Sequence, residues 1–206
     1  RRLAEEPDTE HRADYAAKVN RGVMTAGQIL RRTLSLASRD SEGIAPCDIN
    51  AILVETLTSA RDLAPTGLHY ETHLPGSPIM AEVEKAAFRQ VLLNLFNNAA
   101  EAMHYVGTVT VSLDIVRQNI PAGLSVEDGS SVILLRISDE GPGIEPEIMD
   151  SLFDPFVTTK TAGRGTGLGL SVVRGLVTAW GGTVTVESAP DTGAAFCVWI
   201  PAPGVR

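Results

Sequence analysis

The stretch that decides the fold runs from Asp139 to Leu170. It reads D139-E-G-P-G-I144, then F153-D-P-F-V-T-T-K160, then G163-R-G-T-G-L-G-L170. Six of its thirty-two residues are glycine, in two clusters, with Lys160 and Arg164 at the start of the second. Glycine has no side chain and tolerates positive φ, so a glycine cluster lets backbone N–H groups come close to an anion. From Gly167 the chain reads L-G-L-S-V-V-R-G-L-V-T-A-W, whose apolar spacing is helical. The glycines therefore lead into a helix N-terminus, where a phosphate is favoured. By composition this is a phosphate-contacting loop. The common phosphate motifs do not describe it: the sequence has no G-x-x-x-x-G-K-[ST], and Gly165, Gly167 and Gly169 lack the third-glycine spacing of G-x-G-x-x-G.

A second pattern lies upstream, in F88-R-Q-V-L-L-N-L-F-N-N-A-A-E-A-M103. On a helix Gln90, Asn94, Asn97, Asn98 and Glu101 share one face, and Phe88, Leu92, Leu95, Ala99 and Met103 lie opposite. A polar face is ordinarily a solvated one. Asparagine is a poor helix former, however, and an exposed face more naturally uses Lys, Glu or Gln. Amide oxygens are hard ligands that suit Mg²⁺, an ion that keeps waters and takes the rest of its shell from phosphates.

The order is then an Asn helix, an Asp-x-Gly-x-Gly turn at Asp139, a Phe-bearing segment, and Gly-x-Gly-x-Gly. This resembles the ATP-binding catalytic domain of sensor histidine kinases, within the wider family of gyrase, Hsp90 and MutL ATPases, over about Pro46 to Pro201. The N-L-x-x-N-A-x-x-A-M pattern and the F-D-P-F-V-T-T-K segment look most like the nitrogen-regulation and C4-dicarboxylate type of sensor kinase.

The resemblance implies a cofactor pair, ATP and Mg²⁺, and roles for named residues. Asp139 reads the adenine amino group, with Gly141, Gly143 and Ile144 beside it. Asn98 is the magnesium ligand, and Asn94, one turn back, lies beside the triphosphate. Phe153 and Phe156 pin a lid whose Thr158, Thr159, Lys160 and Arg164 bring donors and positive charge near the phosphates. Gly165, Thr166, Gly167, Leu168, Gly169 and Leu170 complete the phosphate cradle. Lys160 or Arg164 neutralises charge on the γ-phosphoryl group, where phosphoryl transfer needs help. Two positions depart from the pattern: Glu101 stands where many relatives have Lys or Arg, and Ala194 and Ala195 stand where relatives commonly carry Thr. The implied partner is a response-regulator receiver domain.

Composition fits these expectations. A chain of 206 residues suits one domain with an appendage, and 44% hydrophobic content suffices for a core. A net charge of −8 and a pI near 5.0 argue against nucleic acid as a partner. Cys47 and Cys197 show no metal-ligand spacing and no disulfide framework, which fits a cytoplasmic setting. No apolar run approaches the ~18 residues that span a bilayer, so no membrane contact is expected within this chain. The N-terminal R-R-L-A-E-E-P has no apolar signal core and reads as a cut inside a longer protein.

Along the chain, a helix capped by Asp8 or Thr9 is predicted to run to about Ser38. Its stripe of Tyr15, Val19, Gly22, Ala26, Ile29, Thr33 and Leu36 has a bundle-seam spacing. The resemblance makes residues 1–40 the second helix of a dimerisation hairpin, through which the chain forms a homodimer together with a missing upstream helix. That first helix carries the phosphoacceptor histidine in such kinases. None of His11, His69, His73 and His104 fits that role, so the acceptor is expected outside the chain. Arg39 to Pro46 reads as a linker, and the catalytic domain as 41–206.

The predicted elements are a helix from Ile49 to Leu63 capped by Asp48, strands at Leu68–Leu74 and Ile79–Ala81, and a helix from Glu82 to Met103. Strands follow at Thr108–Arg117, Val132–Ser138, Thr183–Ser188 and Ala195–Ile200, the first two forming a hairpin. The expected fold class is an α/β sandwich (α+β), a mixed sheet covered on one face by three helices. One rival function is a hydrolysing ATPase of the gyrase and MutL kind, which uses a Glu where Asn94 stands. The other is a nucleotide-binding scaffold with a degenerate site.

Overall fold

A computed structural model describes residues 43–124, 126, 130–158 and 166–202, all within the second of the two units into which the chain divides, Glu42–Arg206. The predicted dimerisation helix, and with it His11, lies outside the described residues.

Asp48 caps helix α1 (Ile49–Leu63) as the sequence predicts. Its carboxylate accepts from the N–H groups of Asn50 and Ala51 at 3.1 and 3.3 Å, and also from Ile79 at 3.2 Å. The cap therefore ties the helix start to a segment thirty residues away. That segment leads into strand β3 (Met80–Val83), which pairs antiparallel with strand β1 (Ala45–Asp48) in a two-stranded sheet. The linker expected to end at Pro46 thus gives way to a strand. The long helix, predicted from Glu82, starts at Lys85 because the residues before it belong to β3.

The main sheet has five strands: β2 (Leu68–His73), β4 (Gly107–Val116), β5 (Val132–Asp139), β6 (Thr183–Ser188) and β7 (Ala194–Pro201). Their order is β2-β4-β5-β7-β6, with β2 parallel to β4 and the other pairs antiparallel. The sheet is mixed, as predicted, and β4 and β5 form the expected antiparallel pair. Three helices cover one face: α1, α2 (Lys85–Ala102) and, after the short α3 (Pro146–Met149), α4 (Gly169–Ala179). Alternate strand residues Val109, Val111 and Leu113, Ile133, Leu135 and Ile137, and Phe196, Val198 and Ile200 point into this core. Phe88, Val91, Leu92 and Leu95 of α2 meet them at 0% exposure. Each such side chain contributes about 1.5–3 kcal/mol by burial. Phe88 also meets Trp180 at the end of α4, ring centroids 6.1 Å apart.

The opposite face of the sheet carries a smaller cluster that the alternation did not announce. Leu124, from the connection between β4 and β5, packs on Val132, Cys197 and Trp199. The Trp199 indole N–H donates to Thr185 Oγ1 at 2.9 Å. The buried strand β7 is apolar on both faces for this reason.

β2 lies at the sheet edge, so His69 and His73 are edge-strand residues as expected. His104 follows α2 in the left-handed region (φ 53°).

Candidate functional site

Helix α2 presents its Asn face to the start of α4. Asn94 Nδ2 donates to the Gly169 carbonyl at 3.3 Å, and Gln90 Nε2 donates to Asn94 Oδ1 at 3.0 Å. The Asn98 amide lies 3.8–3.9 Å from where a Cβ on Gly169 would stand. Asn94 and Asn98 are half-buried, whereas Gln90 and Asn97 on the same polar face are exposed. Packing thus separates two of the predicted amides from the others. The cap residue of α4, Leu168, supplies no side-chain hydrogen bond. A helix leaves its first N–H groups without intrahelical partners. Those of Gly169 and the residues after it carry the partial positive charge of the helix start beside Asn98.

One turn after Asn98, α2 reaches the Asp139 turn. A Cβ on Gly141 would lie 3.3 Å from the Ala102 Cβ and 2.7 Å from Asp139 Oδ1, so only glycine lets the turn close against the helix. Asp139 ends β5 at 8% exposure. The Gly141 N–H donates to its Oδ1 at 2.9 Å, and the Ala194 N–H also hydrogen-bonds the carboxylate. Burial raises the Asp139 pKa above the ordinary value, and these two N–H groups oppose the rise. A carboxylate has about four lone-pair positions, so one that accepts from two backbone donors can still accept from an amine. A cleft of about 400 Å³ borders this turn, between Ala102 and Met103 on one side and Gly141 and Pro142 on the other.

The turn is held from behind by the β6–β7 connection. Gly143 sits at φ +79°, and a Cβ there would fall 2.0 Å from the Ala189 carbonyl oxygen. Gly193 sits at φ +76°, and a Cβ there would fall 1.9 Å from the Asp139 carbonyl oxygen. Each segment thus requires a glycine in the other. Ser188, Gly193 and Ala194 contribute to the site although the sequence reading named no role for the first two. The D-T-G signal at Asp191–Gly193 marks a turn and not what the turn touches. Ile144, expected near the base, has its N–H bound by Ser188 Oγ at 2.9 Å and its side chain against the core.

The lid expectation needs one correction. Phe153 packs edge-on against Phe196, centroids 6.5 Å apart, and anchors the segment. Phe156 is 48% exposed, and among the described residues its ring meets no other ring. Its backbone does the work instead: the Phe156 N–H donates to the Gly167 carbonyl at 2.8 Å. A Cβ on Gly167 (φ +61°) would lie 2.4 Å from the Phe156 carbonyl carbon. Leu168 is buried and Leu170 packs partly against the core. Thr158 and Thr166 stand exposed at the two ends of the segment. Thr159, Lys160, Arg164 and Gly165 lie outside the described residues. Glu101 is half-buried on the α2 face, between Asn98 and Ala102.

The family model for the histidine kinase-, DNA gyrase B- and HSP90-like ATPases matches residues 83–204, well over half of the chain. The chain belongs to this ATPase family. The match begins at the end of β3 and takes in α2, the Asp139 turn, the Phe156–Gly167 clasp and the β6–β7 turn.

Relatives of this ATPase domain include sensor histidine kinase ZraS of Salmonella typhi, 38% identical over 112 residues, or 54% of this chain and 21% of that protein. Sensor protein FixL of Bradyrhizobium diazoefficiens is 30% identical over 200 residues, or 95% of this chain and 36% of that one. The chain therefore spans about a fifth to a third of these relatives' length. Among solved structures, a mycobacterial sensor histidine kinase, MprB, superposes with a TM-score of 0.62 at 25% identity, covering 78% of this chain and 98% of that one. The α/β sandwich is the fold of such catalytic domains.

Proposed function

We propose that this chain is the ATP-binding catalytic part of a two-component sensor histidine kinase, residues 41–206, preceded over residues 1–40 by part of a dimerisation and phosphotransfer helix. The observation that carries the reading is the shared face of α2. Asn94 and Asn98 meet the start of α4, while Ala102, on the same face, meets the Asp139 turn. Eight residues of helix separate Asn94 from Ala102, about 12 Å. A nucleotide laid along this face has its base at the buried carboxylate and its phosphates at the first N–H groups of α4.

Asp139 accepts from the adenine amino group, which guanine lacks at that position. The Asn98 amide, a hard neutral oxygen donor beside the helix start, fits Mg²⁺ bound jointly with phosphate oxygens. When bound, the ion neutralises phosphate charge. The chain's own residues orient the nucleotide, and Lys160 or Arg164 adds positive charge at the γ-phosphoryl group. That group passes to a histidine outside this chain and then to a response-regulator receiver domain. The protein acts as a homodimer, and in the cytoplasm. Among the described residues no helix is long and apolar enough to cross a membrane.

Asn94 supports transfer over hydrolysis. Its oxygen accepts from Gln90 and its nitrogen donates to Gly169, and a neutral amide has no basicity with which to activate water. The test is calorimetric titration with ATP, with and without Mg²⁺, followed by γ-labelled ATP and a longer chain that contains the upstream helix. Tight ATP binding and histidine labelling of the longer chain are expected. Rapid ATP hydrolysis by this chain without any labelling would favour the hydrolase.

A further inference from the structure

Ser188 ends β6 about fifty residues beyond Asp139. Its hydroxyl bridges two segments. It accepts from the Ile144 N–H at 2.9 Å and donates to the Gly193 carbonyl at 2.7 Å. Ile144 closes the D-E-G-P-G-I turn, whose Gly141 N–H binds Asp139 at 2.9 Å. Gly193 precedes Ala194, whose N–H is the other backbone donor to the Asp139 carboxylate. The two donors that fix the carboxylate thus belong to two segments, and one side chain, half-buried and bonded on both sides, links them. A backbone link, from the Asp191 N–H to the Pro142 carbonyl at 2.7 Å, also joins the segments. Ala194 has no polar side chain, so this chain orients Asp139 at that point through backbone alone.

We propose that Ser188 is a positioning residue for base recognition: it sets the spacing of the Gly141 and Ala194 donors and so the direction in which Asp139 offers its remaining acceptor positions. This rests on the reading of Asp139 as the adenine contact. Removing the hydroxyl leaves the Ile144 N–H and the Gly193 carbonyl facing each other's segment without a partner. The two segments shift apart, and the acceptor moves off the line of the adenine amine. Asn98 and the start of α4 are untouched, so the phosphate end of the site keeps its geometry.

The experiment is calorimetry on the 206-residue chain with ATP and GTP, each with and without Mg²⁺, alongside thermal melting. Ser188→Ala should bind ATP roughly tenfold more weakly, the loss of about one buried hydrogen bond. Its preference for ATP over GTP should shrink, while the fold-gain on adding Mg²⁺ stays at the wild-type value. Ser188→Thr, which restores a hydroxyl, should recover the preference. Thr192→Ala removes two bonds that stay within the turn, to the Ala189 carbonyl at 2.8 Å and from the Ala189 N–H at 3.2 Å, and should match wild type. An equal loss at both ends of the nucleotide, or an unchanged ATP preference in Ser188→Ala, overturns the proposal. If Ser188→Ala does not fold, Ser188→Thr decides: a wild-type ATP preference supports the role, and a lost one refutes it. Failure of the wild-type chain to bind ATP would instead overturn the nucleotide reading itself.

Discussion

Replacing Asp139 by Asn separates what this carboxylate costs the fold from what it gives the ligand. The native side chain has two oxygens, and two backbone N–H groups, those of Gly141 and Ala194, hydrogen-bond the carboxylate. Asparagine has a single oxygen. If that oxygen stays with the backbone donors, the new NH₂ group faces the adenine amine, donor against donor. The loss is a charge-assisted hydrogen bond of about 1.5–3 kcal/mol, a fall in ATP affinity of roughly 10- to 150-fold. The effect on stability has the opposite sign. Burial raises the Asp139 pKa above its ordinary 3.8, so the fold favours the protonated form. That stabilisation is complete below the unfolded-state pKa and is lost as pH rises through the higher folded value. At neutral pH the wild type holds a buried charge that Asp139→Asn does not. The variant should therefore melt at the same temperature or higher at pH 7, and its melting temperature should fall less than that of wild type between pH 4 and neutrality. Calorimetry with ATP and GTP, and melting curves across that range, measure both effects. ATP affinity equal to wild type would remove Asp139 from the adenine contact and refute the argument.

Asn98→Ala should leave nucleotide binding indifferent to Mg²⁺; titrations with and without EDTA check this, and a wild-type response to magnesium would end the ligand assignment. Gly193→Ala introduces a Cβ 1.9 Å from the Asp139 carbonyl oxygen at a φ of +76°. It should destabilise by about 2–4 kcal/mol, lowering Tm by roughly 5–15 °C, and weaken ATP binding as well. Phe88→Ala empties a site at 0% exposure beside Trp180 and should cost about 3–5 kcal/mol in denaturant titration. This chain alone should take up almost no label from γ-labelled ATP, and acid-labile, base-stable phosphate on it would contradict that and point first to His11.

Much of this molecule was already determined by local sequence. The Asp48 cap, the 3.6-residue spacing of α2 and the alternation in β4 each act over a few residues, and the structure keeps all three elements, with the cap and β4 within a residue. The Asn face and the Asp139 turn were legible because their residue types run against local preference: asparagine in a helix, and glycines where nothing needs flexibility. The tertiary structure decided what depends on partners distant in the chain. Strand β1, four residues with Pro46 inside, carries no alternation and exists because Met80–Val83 offers it a ladder. The start of α2 moved to Lys85 for the same reason. Phe153 and Phe156 look alike in sequence, yet among the described residues only the first meets another ring, while the second is tied to Gly167 through its backbone. Gly143 and Gly193 each clear space for a carbonyl about fifty residues away. A pattern read along the chain identifies residues by their own chemistry, whereas of the two N–H groups at the Asp139 carboxylate one, from Ala194, is brought there only by folding.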